Sequence, residues 1–134
     1  MTGYDIALID VARLRPTEEV KAARVDRLMK QMRMEGLQRR PILVERDSLA
    51  ILDGHHRYHA ALQLGLTRIA AVLIAYGDAR LSLQSWTSRS YSAADVLAAA
   101  ASQQLLPAKS TRHVLEPPLP DDPVRLDRLG LVRA

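Results

Sequence analysis

Six consecutive residues, Asp53-Gly54-His55-His56-Arg57-Tyr58, are the best candidates in this chain for holding a phosphate. They follow a short apolar run, Leu49 to Leu52, and lead into a stretch with helical spacing from His55 to Leu64, which places them at a strand-to-helix junction. The first turn of a helix presents backbone N–H groups without intrahelical partners at the positive end of the helix dipole, and both suit an anion. Gly54 lets a ligand approach the backbone closely, Arg57 offers a forked cation, and His55 and His56 offer ring donors. Asp53 can cap the helix, touch a metal or touch a hydroxyl. The same residues also have an ordinary structural reading, in which Asp53 is a helix cap and the histidines are solvated.

Other groups carry weaker signals. Glu18-Glu19 follows Pro16 in a loop, where adjacent carboxylates are either solvated charge or a general base within reach of a substrate proton. Lys109-Ser110-Thr111-Arg112-His113 puts two cations, two hydroxyls and an imidazole into a loop that suits an anion or is simply basic. His55 and His59 have the spacing of a zinc pair, but no obvious third ligand completes it. Trp86, the only Trp, reads as a core residue, and Arg39-Arg40 as a solvated face.

These residues need elements to position them. Val25, Leu28, Met29 and Met32 fall at i, i+3, i+4, i+7, which predicts a helix from about Ala22 to Glu35, ended by Gly36. Strands are expected at 4–10, 41–45, 49–52, 69–75 and 81–86, the fourth apolar enough to be covered on both faces. Ser92 with Asp95 predicts a capped helix from about Ala93 to Gln103. Residues 105–113 read as a polar loop. The Pro-rich stretch 116–134 reads as an extended tail with a short helix near Leu126, after a domain spanning 1–115. Strands and helices mix throughout, so the fold class is α/β or α+β.

Composition narrows the function. The chain has 134 residues, 48% hydrophobic and 25% charged, which fits one folded domain. No apolar run reaches membrane-spanning length and no leader is visible, so a cytoplasmic protein without a membrane partner is expected. The absence of Cys removes a thiol nucleophile and a thiolate metal site. Few aromatics argue against stacking on single strands. The net charge of +4 allows an anionic partner such as a nucleotide. Neither a Gly-rich phosphate loop ending in Lys-Ser/Thr nor a protein-kinase Gly loop is present.

Taken together, Pro16-Thr17-Glu18-Glu19-Val20, Pro41-Ile42-Leu43-Val44, Asp53-Gly54-His55-His56-Arg57-Tyr58 and Ala61-Leu62-Gln63-Leu64-Gly65 resemble the ParB/sulfiredoxin superfamily. Within it the wording is similar to the free L-serine kinase branch, and Pro107-Ala108-Lys109-Ser110-Thr111-Arg112-His113 resembles that branch's Pro-Pro-Lys-Thr-Thr-Arg-His signature. Partition proteins carry Gly-Glu-Arg-Arg where this chain has Gly54-His55-His56-Arg57, and sulfiredoxins need a Cys.

The resemblance implies a ParB/sulfiredoxin-like small mixed sheet and phosphoryl transfer from ATP or ADP, with Mg²⁺, to the hydroxyl of L-serine. It casts Glu18 as the catalytic base, with Glu19 as fallback, and Asp53 as the second catalytic carboxylate. Gly54, His55, His56, Arg57 and Lys109 are implied on the nucleotide phosphates. Trp86, Thr111, Arg112 and His113 are implied on the substrate side. Only 25 residues separate Trp86 from Arg112, fewer than that branch carries. Three forms fit: a minimal kinase, a kinase completed by a homodimer, or a nucleotide-binding, DNA-associated regulator without kinase activity. Nucleic acid is the less favoured partner.

Overall fold

The computed structural model describes residues 3–86 and 88–131. In chain order the elements are β1 (Asp5–Asp10), α1 (Ala22–Glu35), β2 (Leu37–Gln38), β3 (Ile42–Glu45), β4 (Ile51–Asp53), α2 (His55–Leu64), β5 (Arg68–Ile74), β6 (Leu81–Ser85), α3 (Ala93–Ser102), β7 (Thr111–Leu115) and β8 (Val124–Arg125). A 3-10 helix, Leu126–Leu129, follows β8.

Helix α1 forms where the apolar spacing predicts it. Val25 and Met32 are buried, and Leu28 and Met29 pack against the same core. It stops at Gly36, whose φ of 72° is the left-handed conformation that side chains disfavour. Helix α3 starts on a reciprocal cap: Asp95 N–H donates to Ser92 Oγ at 3.1 Å, and Ser92 N–H donates to the Asp95 carboxylate at 2.8 Å. On α2, Leu62 faces solvent rather than the core.

The main sheet has the order β1-β5-β3-β4. Strand β5 runs antiparallel to β1 and parallel to β3, and β4 is the antiparallel neighbour of β3. The path from β3 through β4 and α2 to β5 is therefore the crossover that a parallel pair requires. Period-two alternation divides β5 between two cores. Ile69, Ala71 and Leu73 pack with α1 and α2, whereas Val72 and Ile74 pack with Val96 and Ala100 of α3 and Leu115 of β7. Both faces of β5 are thus covered, as its apolar run predicts.

Two expectations are corrected. Thr111, Arg112 and His113 do not lie in a loop: they open β7, which pairs antiparallel with β6 through Ser85↔Thr111, Gln84↔Arg112 and Leu83↔His113. The C-terminal stretch is also more than an extended tail. β8 pairs with β2, and Leu126 and Leu129 of the following 3-10 helix are buried in the first core. Thr67 N–H donates to Leu129 O at 3.0 Å. Residues 132–134 of that stretch lie outside the described residues.

Leu129 is fully buried. Leu129→Ala should cost about 2–5 kcal/mol in a denaturant titration, the range for truncating a core leucine. A loss below about 0.5 kcal/mol, the level of an ordinary surface change, would show that this stretch does not stabilise the fold.

Candidate active site

The cleft forms where the C-terminal end of β4 meets the first turn of α2. Asp53, exposed, ends the strand, and Gly54 makes the turn with φ 101°. A Cβ on Gly54 would lie 2.5 Å from Ile42 Cγ2 and 2.8 Å from Ile42 Cβ. The glycine is therefore demanded by backbone conformation and by packing on β3. Close approach of a ligand, the reason expected from sequence, is not what excludes a side chain there. Gly54 also takes the cap position expected of Asp53, and no side chain caps α2. His55, His56 and Arg57, the first turn of α2 with its unpaired N–H groups, line an open cleft of about 660 Å³.

Opposite this turn runs the segment Arg15–Glu19. It is extended, bridged to Ala50 through Arg15 and to Leu106 through Glu18. Glu19 N–H donates to Leu106 O at 2.8 Å, and Leu106 N–H donates to Thr17 O at 2.9 Å. Glu18 is only 7% exposed yet lines the cleft. Its Oε2 accepts hydrogen bonds from the Thr111 hydroxyl and, at 3.3 Å, from Thr111 N–H. Burial raises the Glu18 pKa above its ordinary value of 4.5. The hydrogen bonds from Thr111 and the backbone around Ser110 and Lys109 act the other way without cancelling it. Glu19, by contrast, is exposed on the cleft wall.

The two histidines depart from expectation. His55 is buried, and its Nε2 accepts from Thr17 N–H at 3.0 Å and Glu18 N–H at 3.2 Å. His56 Nε2 accepts from Lys21 N–H at 3.2 Å. An imidazole nitrogen that accepts carries no proton, so neither Nε2 is the ring donor to phosphate that the sequence suggests. Burial lowers both pKa values, that of His55 to about 3, and the Arg24 guanidinium adds to the effect at His56. Both residues line the cleft with their Nε2 atoms engaged on the segment from Thr17 to Lys21. Arg57 Nη1 is likewise engaged, donating to the carbonyls of Arg40 at 3.2 Å and Pro41 at 2.9 Å, while its side chain still borders the cleft.

Trp86 is 61% exposed and lines the cleft, contrary to the core position expected for a lone Trp. The Arg112 guanidinium lies over its ring at 4.7 Å. Lys109 and Thr111 also border the cleft. Arg112 and His113 do not. Strand period two turns Arg112 outward, where it also meets Gln84. His113 lies further along β7, its Nε2 2.8 Å from the Tyr76 hydroxyl, and burial lowers its pKa to about 4. Five cleft residues were not singled out as functional from sequence: Arg24, Arg27, Gln31, Leu28 and Leu52. The first three recur at helical spacing on α1, so the periodicity that defined its apolar face also marked this one.

The ParB N-terminal domain profile matches residues 2–85. An ATP-dependent L-serine kinase of Staphylothermus marinus is 39% identical over 83 residues, 59% of this chain and 33% of that one. A ParB-like protein of Sulfolobus acidocaldarius is 36% identical over 86 residues, 64% of this chain and 43% of that one. The chain thus spans well under half the length of these relatives. Among solved structures, a free serine kinase in complex with AMP superposes with a TM-score of 0.85 at 14% identity, covering 94% of each chain. A conserved protein of Pyrococcus furiosus gives 0.85 at 15% identity, covering 93% of this chain and 97% of that one. At such identities the likeness is one of fold.

A buried carboxylate with a raised pKa carries a stability signature. Glu18 favours the fold while protonated, and that contribution is lost as pH rises through its raised folded value. Glu18→Gln, which keeps an acceptor for Thr111, should therefore melt at or above the wild-type temperature at pH 7, with the difference vanishing near pH 4. A variant markedly less stable at both pH values would contradict this.

Proposed function

The chain belongs to the ParB N-terminal domain family, and on that footing we propose that it is an ATP-dependent kinase of free L-serine, yielding O-phospho-L-serine and ADP. The observation that carries this reading is one cleft lined both by the first turn of α2, His55 to Arg57, and by a buried glutamate, Glu18, held by Thr111. The curated relatives called ATP-dependent L-serine kinase, 36–39% identical over part of the chain, support it.

In this reading the donor phosphates lie over the amides of His55, His56 and Arg57. Arg24, Arg27 and Lys109, which border the same cleft, offset their charge. Among the described residues no three His, Cys, Asp or Glu side chains converge on one point. A magnesium ion would be held here by phosphate oxygens with Asp53 as the carboxylate beside them, and would supply neutralisation of phosphate charge. Trp86, with Arg112 stacked on its ring from outside the cleft, forms the wall proposed for the acceptor amino acid. Glu18 accepts the serine hydroxyl proton as that oxygen bonds to the terminal phosphorus and the bond to the bridging oxygen of ADP breaks. Its raised pKa brings it nearer the working pH of a base. Positioning and charge supply most of the acceleration.

The match to a ParB-like protein favours a second reading, a nucleotide-binding regulator acting on DNA. It requires DNA affinity that falls steeply with salt.

Incubation with L-serine, ATP and Mg²⁺, read by mass, should give phosphoserine. Glu18→Gln should lose about 10²–10⁴ in kcat, the usual contribution of a general base, with ATP affinity unchanged by calorimetry. The acidic limb of kcat should lie above pH 4.5, the ordinary glutamate value. Unchanged turnover in Glu18→Gln would overturn the role of Glu18. Salt-sensitive DNA binding without phosphoserine would favour the second reading.

A further inference from the structure

We propose that His55 is a positioning residue whose Nε2, by accepting the main-chain N–H groups of Thr17 and Glu18, sets the Glu18 carboxylate against the first turn of α2. The effect on rate rests on the kinase reading; the positioning itself does not.

The geometry is unusual in what it asks of one residue. His55 is the first residue of α2, so its own amide belongs to the turn that faces the cleft. The residue is 6% exposed, and its ring accepts from two successive amides of the Arg15–Glu19 segment at 3.0 and 3.2 Å. The Thr17 hydroxyl also lies 3.2 Å from Nε2 and donates to Ile51 O at 2.8 Å, which ties the same segment to β4. One residue therefore spans the two halves of the site by covalent geometry on one side and hydrogen bonds on the other. A shift of α2 carries the Glu18 backbone with it. Burial keeps the ring neutral, and two backbone donors aimed at Nε2 require the tautomer with its proton on Nδ1. His56 repeats the device one residue later, through Lys21 N–H at the start of α1. Neither role is apparent from the residue types, which suggest phosphate donors.

The test separates an acceptor that positions from a donor that binds phosphate. Gln places its side-chain amide near the location of His Nε2, whereas Asn reaches only as far as Nδ1. In the wild-type protein at pH 7, ¹⁵N spectra should show His55 Nε2 without a proton. Hydrogen exchange at the Thr17 and Glu18 amides should accelerate about fivefold or more in His55→Asn, as expected when a hydrogen bond near 1 kcal/mol is lost. Exchange should return towards the wild-type rate in His55→Gln. In the kinase assay His55→Asn should lower kcat by about tenfold or more with the KM for ATP nearly unchanged, and His55→Gln should recover most of it.

A protonated Nε2 in the wild type overturns the proposal, and so does exchange at Thr17 and Glu18 that His55→Asn leaves unchanged. Loss of ATP affinity in both variants with kcat preserved makes His55 a phosphate ligand instead. If the wild type forms no phosphoserine, the kinase reading fails while the ring spectrum and the exchange rates still decide the role of His55.

Discussion

Keeping a carboxylate inside a wall of packed residues is the constraint around which this site is built. Glu18 is removed from water, which disfavours its charge, and the Thr111 hydroxyl and amide offset only part of that loss. Those partners are useful only if the segment carrying Glu18 cannot slide. It is therefore held along both edges, by bridges to Ala50 and Leu106, and from beneath by the ring of His55. Three regions distant in sequence must be in place before Glu18 is: the β4–α2 junction, the bridge at Leu106 and the start of β7.

The rest of the fold provides that rigidity. β5 sits in the middle of the main sheet, with a core on each face, and aligns β3 so that Ile42 can close against Gly54. The α2 turn is thus fixed by backbone conformation on one side and by a β3 side chain on the other. Arg57 adds a further tie by holding the carbonyls of Arg40 and Pro41 at the entrance to β3. The two cores serve the cleft differently. The first fixes α1 and α2, and the second fixes β6, α3 and β7, which bring up Trp86 and Thr111.

Much of this was legible in the sequence wherever the signal was local. Helix α1 follows from four apolar residues at helical spacing and a terminal glycine, and α3 from the reciprocal cap of Ser92 and Asp95. The Asp53–Arg57 junction announces itself through residue type. What was missed is long-range. Nothing near Thr111 says that it pairs with Ser85, so the strand that separates Arg112 and His113 from the cleft read as a loop. Leu126 and Leu129 looked like part of a Pro-rich tail because their burial depends on partners near Thr67 and α1. The histidines misled in another way. Residue type establishes that an imidazole can hydrogen-bond, but only the fold decides whether its nitrogen donates or accepts.

The central claim is that the α2 turn and the Glu18 wall form one nucleotide site. An amide-resolved NMR titration of the protein with ATP and Mg²⁺ addresses it directly. The largest shifts should cluster at His55, His56 and Arg57 and reach across the cleft to Arg24, Arg27 and Lys109. Saturating ATP that leaves these amides unmoved, or moves only residues on the far side of the sheet, would contradict the account.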